Sequence, residues 1–135
     1  MIHPSRIDVV LPARVESAPR LRRVIREFLE RIGTARSQID DLVLAVGEAA
    51  GNAIEHAYKG AAGDVRLRAA VVGERLTVEV RDFGKWRLDG DAERGRGIGI
   101  MRSLVEHVAI ESTLDGTLVR FETHLQTQTL SAFSR

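Results

Sequence analysis

The sequence predicts an α+β chain, a two-layer α/β sandwich with helices on one face of a mostly antiparallel sheet. Three observations support this. Two consecutive stretches in the first half carry apolar residues at helical spacing, and two pairs of strand-like runs in the second half are each joined by turn formers. A short apolar helical stretch lies between the pairs. With 135 residues and 44% hydrophobic content, the chain suits one compact domain over residues 1–135, ending in a polar tail or linker at 126–135.

The first element is a β-prone run, Ile7 to Leu11, closed by Pro12. Ser17 is placed to cap a helix and Pro19 to sit in its first turn, so a helix is expected from Pro19 to Ile32. Its apolar positions Leu21, Val24, Ile25, Phe28, Leu29 and Ile32 repeat at three and four, and Gly33 stops it. Ser37 offers a second cap, with Asp40 and Asp41 near the positive end of the helix dipole, and apolar periodicity then runs to Tyr58. After the break Gly60–Gly63, Asp64–Val72 and Arg75–Asp82 form a hairpin around Gly73-Glu74. Leu76, Val78 and Val80 alternate with Thr77, Glu79 and Arg81, which buries one face. Phe83 to Arg94 has no period and reads as a loop leading to Gly95-Arg-Gly97-Ile-Gly99, whose glycines open a helix from Ile100 to His107. Val108–Ser112 and Thr117–His124 are the last strands, around Leu114-Asp-Gly116.

Composition narrows the function. Twenty basic and nineteen acidic residues leave a charge of +1, so no sequence-wide field points to nucleic acid or an anionic membrane. The absence of cysteine rules out disulfides and thiolate metal sites and is compatible with a reducing compartment. No apolar run approaches the roughly 18 residues of a membrane span, and the first residues lack a signal-peptide core. A soluble, cytoplasmic protein is expected.

The stretch Glu48-Ala-Ala-Gly-Asn52-Ala-Ile-Glu-His56 sets a carboxylate, an amide and an imidazole four residues apart, in line on one flank of a helix. A carboxylate accepts a proton and a carboxamide oxygen suits a hard cation such as Mg2+, which together fit a phosphoryl-transfer site. The competing reading is a solvated helix face opposite an apolar arc. Gly47 and Gly51 weigh against it: mid-helix glycines each cost roughly 1 kcal/mol relative to alanine, which implies that something approaches the backbone there. Glycines before a helix also let free amides and the helix dipole seat an anion. The cluster is neither a Walker loop nor a dinucleotide fingerprint, because it lacks the Gly-Lys-Ser/Thr ending and the G-x-G-x-x-G spacing.

The order of these motifs, with Asp82-x-Gly84 ending a strand and Gly116-Thr117 entering another, resembles the GHKL (Bergerat-fold) ATPase superfamily of gyrase B, histidine kinases and MutL. Asn-Ala-Ile-Glu-His-Ala-Tyr and Gly-Arg-Gly-Ile-Gly-Ile-Met-Arg-Ser-Leu are similar to the anti-sigma factor serine/threonine kinases within it, and the likeness covers Val9 to His124. The resemblance implies ATP and Mg2+ as cofactors. It makes Asn52 the metal ligand and Glu48 the catalytic group that orients or deprotonates an attacking hydroxyl. Asp82 would accept the adenine amino group, Gly84 would allow the base close, and Thr117 would help through a hydroxyl or water. Phosphates would rest on the amides of Gly95, Gly97, Ile98 and Gly99, with Arg96 as an extra cation. His56 is open between a phosphate contact and a packed imidazole. The implied partners are a sigma factor, an anti-sigma factor antagonist of the STAS type as substrate, and a second copy of the chain, joined through the first strand and helix. Trp86 stands where the family's Asp-x-Gly-x-Gly has its second glycine, and the loop before Gly95 is short. Both features keep open an alternative, a non-catalytic ATP/ADP-binding switch module of a larger regulator.

Overall fold

The computed structural model describes residues 5–57, 62–84 and 92–128, with 56–57 and 92–96 described through the backbone alone. In chain order the elements are β1 (Arg6–Pro12), α1 (Ser17–Arg31), α2 (Arg36–Asn52), a π-helical turn (Ala53–Ala57), β2 (Asp64–Val72), β3 (Arg75–Asp82), α3 (Ala92–Leu104), β4 (His107–Thr113) and β5 (Gly116–His124). The strands form one sheet in the order β1-β2-β3-β5-β4, antiparallel at every pairing. The α+β two-layer sandwich expected from the sequence is the fold observed.

Alternation decides which face of the sheet is covered. Val65, Leu67 and Ala69 of β2, Leu76, Val78 and Val80 of β3, and Val119 and Phe121 of β5 are buried in one core with Leu21, Ile25, Phe28 and Leu29 of α1 and Met101 of α3. Between them lies α2, which packs on both α1 and α3. Its buried face is rich in alanine, at positions 45, 49 and 50, and such short side chains let neighbouring elements approach closely.

Where the sequence-based boundaries differ from the structure, tertiary contacts account for most of the difference. Ser17 does not cap α1 from outside: it is the first helical residue and buried, and its N–H donates to the Arg14 carbonyl at 2.9 Å. α1 stops at Gly33 as expected. Gly33 takes φ +80°, its N–H donates to Glu30, and the N–H of Thr34 donates to Leu29, so the last carbonyls are satisfied in the Schellman pattern. α2 begins before Ser37, with Ala35 at its N-cap. The N–H of Ala35 donates to the Gln126 carbonyl at 2.7 Å, so a distant segment, not a side-chain cap, fixes that start.

The same contact involves the first residues of the expected polar tail or linker. Thr127 forms a β-bridge with Thr34, the N–H of Gln128 reaches the Gly33 carbonyl at 2.9 Å, and Gln38 accepts the N–H of Gln126 at 2.8 Å. Gln126 to Gln128 are therefore tied to the junction of α1 and α2. Residues 129–135 lie outside the described residues.

Candidate functional site

Glu48 and Asn52 stand one turn apart on α2, both half-buried. Helix α3 brings Gly97 against them. A methyl group at Gly97 would lie 3.3 Å from Nδ2 of Asn52, 3.9 Å from its Oδ1 and 3.8 Å from Oε2 of Glu48. This buried glycine leaves room for the two polar groups beneath the helix backbone. A proton acceptor and an amide oxygen thus share one crevice between two helices.

The line of three polar residues does not continue unchanged. The N–H of Ala53 lies between the carbonyls of Ala49 and Ala50, and the backbone widens into the π-turn. With hydrogen bonds running i→i+5 there, His56 leaves the α-helical register that Glu48 and Asn52 share. Its side chain lies outside the described residues. π-turns within helices are frequent at functional sites, and this one begins immediately after Asn52.

The mid-helix glycines have different explanations. At Gly47 the approaching group is the Arg22 side chain of α1, whose Cδ would lie 3.1 Å from an added methyl. Gly51 has no described atom within 4 Å of such a methyl, so the packing gives no reason for it.

At the end of β3, Asp82 is only 2% exposed. Its Oδ1 accepts the N–H of Gly84 at 3.1 Å and that of Thr117 at 3.2 Å. The first bond is local, the turn an aspartate makes with the backbone two residues on, and the second follows from the register that pairs Asp82 with Thr117. Gly116 lets the strands meet. It sits at φ +135°, and a methyl there would overlap the Asp82 carbonyl oxygen and lie 2.8 Å from Cα of Phe83. The Thr117 hydroxyl is 3.3 Å from that of Ser112, its cross-strand partner on β4. Sequence reasoning passed over Ser112; two hydroxyl residues placed symmetrically about the Leu114-Asp-Gly116 turn were the available signal. Gly84, which the sequence paired with Asp82, is buried beside it.

The glycine cluster does not precede α3 as expected. The helix starts at Ala92 and runs through Gly95, Gly97 and Gly99. Ala92, Glu93 and Arg94 are better helix formers than the loop reading allowed for, and they carry the helix back by two turns. The N–H groups without an intrahelical partner are accordingly those that come before Gly95, so Gly95, Gly97, Ile98 and Gly99 lie within the helical ladder. The side chain of Arg96 and the whole of Trp86 fall outside the described residues.

Both α2, which carries Glu48 and Asn52, and the π-turn after it pack on β3, the strand that ends in Asp82. Among the described residues no helix is long and apolar enough to cross a membrane. The chain is similar to a protein named serine-protein kinase RsbW from Bacillus pumilus, at 30% identity over 78% of this chain and 78% of that one. It is also similar to one named anti-sigma F factor from Caldanaerobacter subterraneus, at 30% identity over 77% of this chain and 82% of that one. In three dimensions it resembles the crystal structure of the RsbU and RsbW domains of Rv1364c from Mycobacterium tuberculosis, with a TM-score of 0.74, 27% identity and 92% of this chain covered. The chain spans only 34% of the length of that solved chain. Residues 11–123 match the histidine kinase-like ATPase domain, and the chain belongs to that family.

Proposed function

We propose that the chain is an ATP-dependent protein-serine/threonine kinase, a single ATP-binding domain that works in the cytoplasm. It binds a sigma factor and phosphorylates an anti-sigma factor antagonist of the STAS type, so that sigma-factor availability follows the phosphorylation state. The observation that carries this reading is the meeting of Glu48 and Asn52 beneath Gly97, on a helix packed against the strand that ends in Asp82. The names of its relatives, a serine-protein kinase and an anti-sigma factor, point the same way.

In this reading the Asp82 carboxylate accepts the adenine amino group, held in place by the amides of Gly84 and Thr117. Glu48 takes the proton of the attacking serine or threonine hydroxyl while the oxygen bonds to the γ-phosphorus and ADP leaves. Mg2+ suits the residues present: it binds through one or two protein oxygens plus phosphates and waters, and Asn52 offers one such oxygen in the crevice. When bound, it would offset phosphate charge. Gly95, Gly97, Ile98 and Gly99 would offer their amides to phosphate after the first turns of α3 open. Arg96 would add a cation, and His56 remains a candidate on the phosphate side. Two copies of the chain would pair through β1 and α1, without direct contact to nucleic acid or membrane.

A second reading is a non-catalytic ATP/ADP switch module of a larger regulator. It is favoured by the helical state of Gly97 to Gly99, which leaves their amides engaged. Incubation with γ-labelled ATP and a panel of candidate antagonists separates the two. Under the kinase reading the wild type transfers label, Glu48→Ala loses about 100-fold or more of transfer with Mg-ATP affinity nearly intact, and Asn52→Ala weakens Mg-dependent binding. A wild type that binds ATP yet labels no antagonist supports the switch instead.

A further inference from the structure

The outer face of the sheet, away from the helices, carries a cluster that the nucleotide site does not use. A depression of about 200 Å³ there is lined by Arg66, Arg68, Glu79, Arg81, Leu118 and Arg120, four arginines against one glutamate. Both oxygens of Glu79 are taken, Oε1 by Arg68 and Oε2 by Arg120, each at 2.9 Å. Arg66 is held by Asp8 through two bonds of 2.8 and 2.6 Å.

Arg81 is the cation left over. Its cross-strand neighbours are Arg66 on β2 and Leu118 on β5, and no carboxylate among the described residues pairs with it. Its guanidinium carbon sits 5.2 Å from the centre of the Phe83 ring, which fixes its direction, while its buried Nε has no hydrogen-bond partner. A buried donor without an acceptor is costly, and a like charge directly across the strand pair adds to the cost. An incoming carboxylate at the guanidinium would offset the like charge.

We propose that this face is a docking surface for an acidic segment of a protein partner, with Arg81 receiving a carboxylate from it. The depression is smaller than the roughly 300–1,000 Å³ of small-molecule sites. Val10 and Phe83, 52% and 45% exposed, flank it, and arginine mixed with exposed apolar and aromatic groups is the composition of protein interfaces. A nucleic-acid track fits less well, because Asp8, Glu79 and Glu111 interleave with the arginines and would repel successive phosphates. The surface is independent of the kinase reading, since none of its residues belongs to the ATP site.

Fluorescence anisotropy with a fluorescein-labelled peptide of repeating Glu-Leu tests the proposal at low salt. The wild type binds, and Arg81→Gln and Arg81→Glu each weaken binding by about tenfold or more. Arg23→Glu, the same charge change on the exposed side of α1, shifts it by less than about twofold. Arg81→Gln keeps much of the side-chain bulk, and circular dichroism of both Arg81 variants reports whether they fold. Four results would overturn the proposal: no binding by the wild type, equal losses in Arg23→Glu and Arg81→Glu, tighter capture of a single-stranded oligonucleotide than of the peptide, or conversion of a dimer to a monomer by Arg81→Glu in sedimentation.

Discussion

Two glycines show how little space separates support from obstruction here. At Gly97 an added methyl would press on the Asn52 amide at 3.3 Å without meeting any backbone. Alanine is also the better helix former by about 1 kcal/mol. Gly97→Ala is therefore expected to leave the melting temperature unchanged or raised while Mg-ATP affinity falls by about threefold or more, because Asn52 must shift. Isothermal titration beside a thermal melt checks this, and an unaltered affinity would remove Gly97 from the site. Gly116 presents the opposite case. Its φ of +135° and the Asp82 carbonyl against its α-carbon leave no room for a methyl, so Gly116→Ala is expected to cost about 3 kcal/mol or more in urea unfolding. The sequence showed both glycines but not this difference. A glycine needed for space beside a side chain and one needed for a strained backbone look alike until the neighbouring strand is in place.

At the scale of elements, β3 divides its residues between two tasks. Leu76, Val78 and Val80 enter the core, while Glu79 on the outer face joins β2 to β5 by accepting Arg68 and Arg120. Burial pushes the Glu79 carboxyl up, but the hydrogen bonds from Arg68 and Arg120 outweigh it and hold the group below the ordinary value of 4.5. A carboxylate depressed on folding lends stability above its unfolded value, and that stability is lost as pH falls through the folded one. The wild type should therefore exceed Glu79→Gln most at about pH 7, and the gap should close towards about pH 3. Urea midpoints at the two pH values measure it, and a gap that widens in acid would sink the argument. The strands were legible because alternation and a Gly73-Glu74 turn are local signals, and Gly73 indeed takes φ +62°. The starts of α2 and α3 and the π-turn were not. Ala35 is fixed by a chain segment about ninety residues away, and the widening at Ala53 leaves no mark in the apolar pattern.

Across the whole molecule, the two layers are fastened at one end. Gln38 on α2 donates to the His124 carbonyl at 2.9 Å and accepts the N–H of Gln126, while Gln126, Thr127 and Gln128 hold the α1–α2 junction. A chain ending at Leu125 would leave the Ala35 N–H, the Gly33 carbonyl and the Gln38 amide oxygen without these partners. It is expected to lose about 2 kcal/mol or more in urea unfolding, and a midpoint equal to that of the full chain would show the contacts to be idle. Sequence composition pointed to a polar tail, because glutamine and threonine bound through backbone groups leave no hydrophobic signal.

The β3–β5 register sets Arg75 opposite His124 and Asp82 opposite Thr117, so the fastening lies at one end of the sheet and the Asp82 anchor at the other. Were the layers to turn on one another, Gln38 would be the pivot of a jaw. At about 3.3 Å per residue the arm is roughly 25 Å long, so a turn of about 5° at the pivot moves the mouth by about 2 Å. Under the kinase reading, motion too slight to disturb the core beside the pivot would be enough, at the mouth, to admit or refuse the edge of an adenine ring.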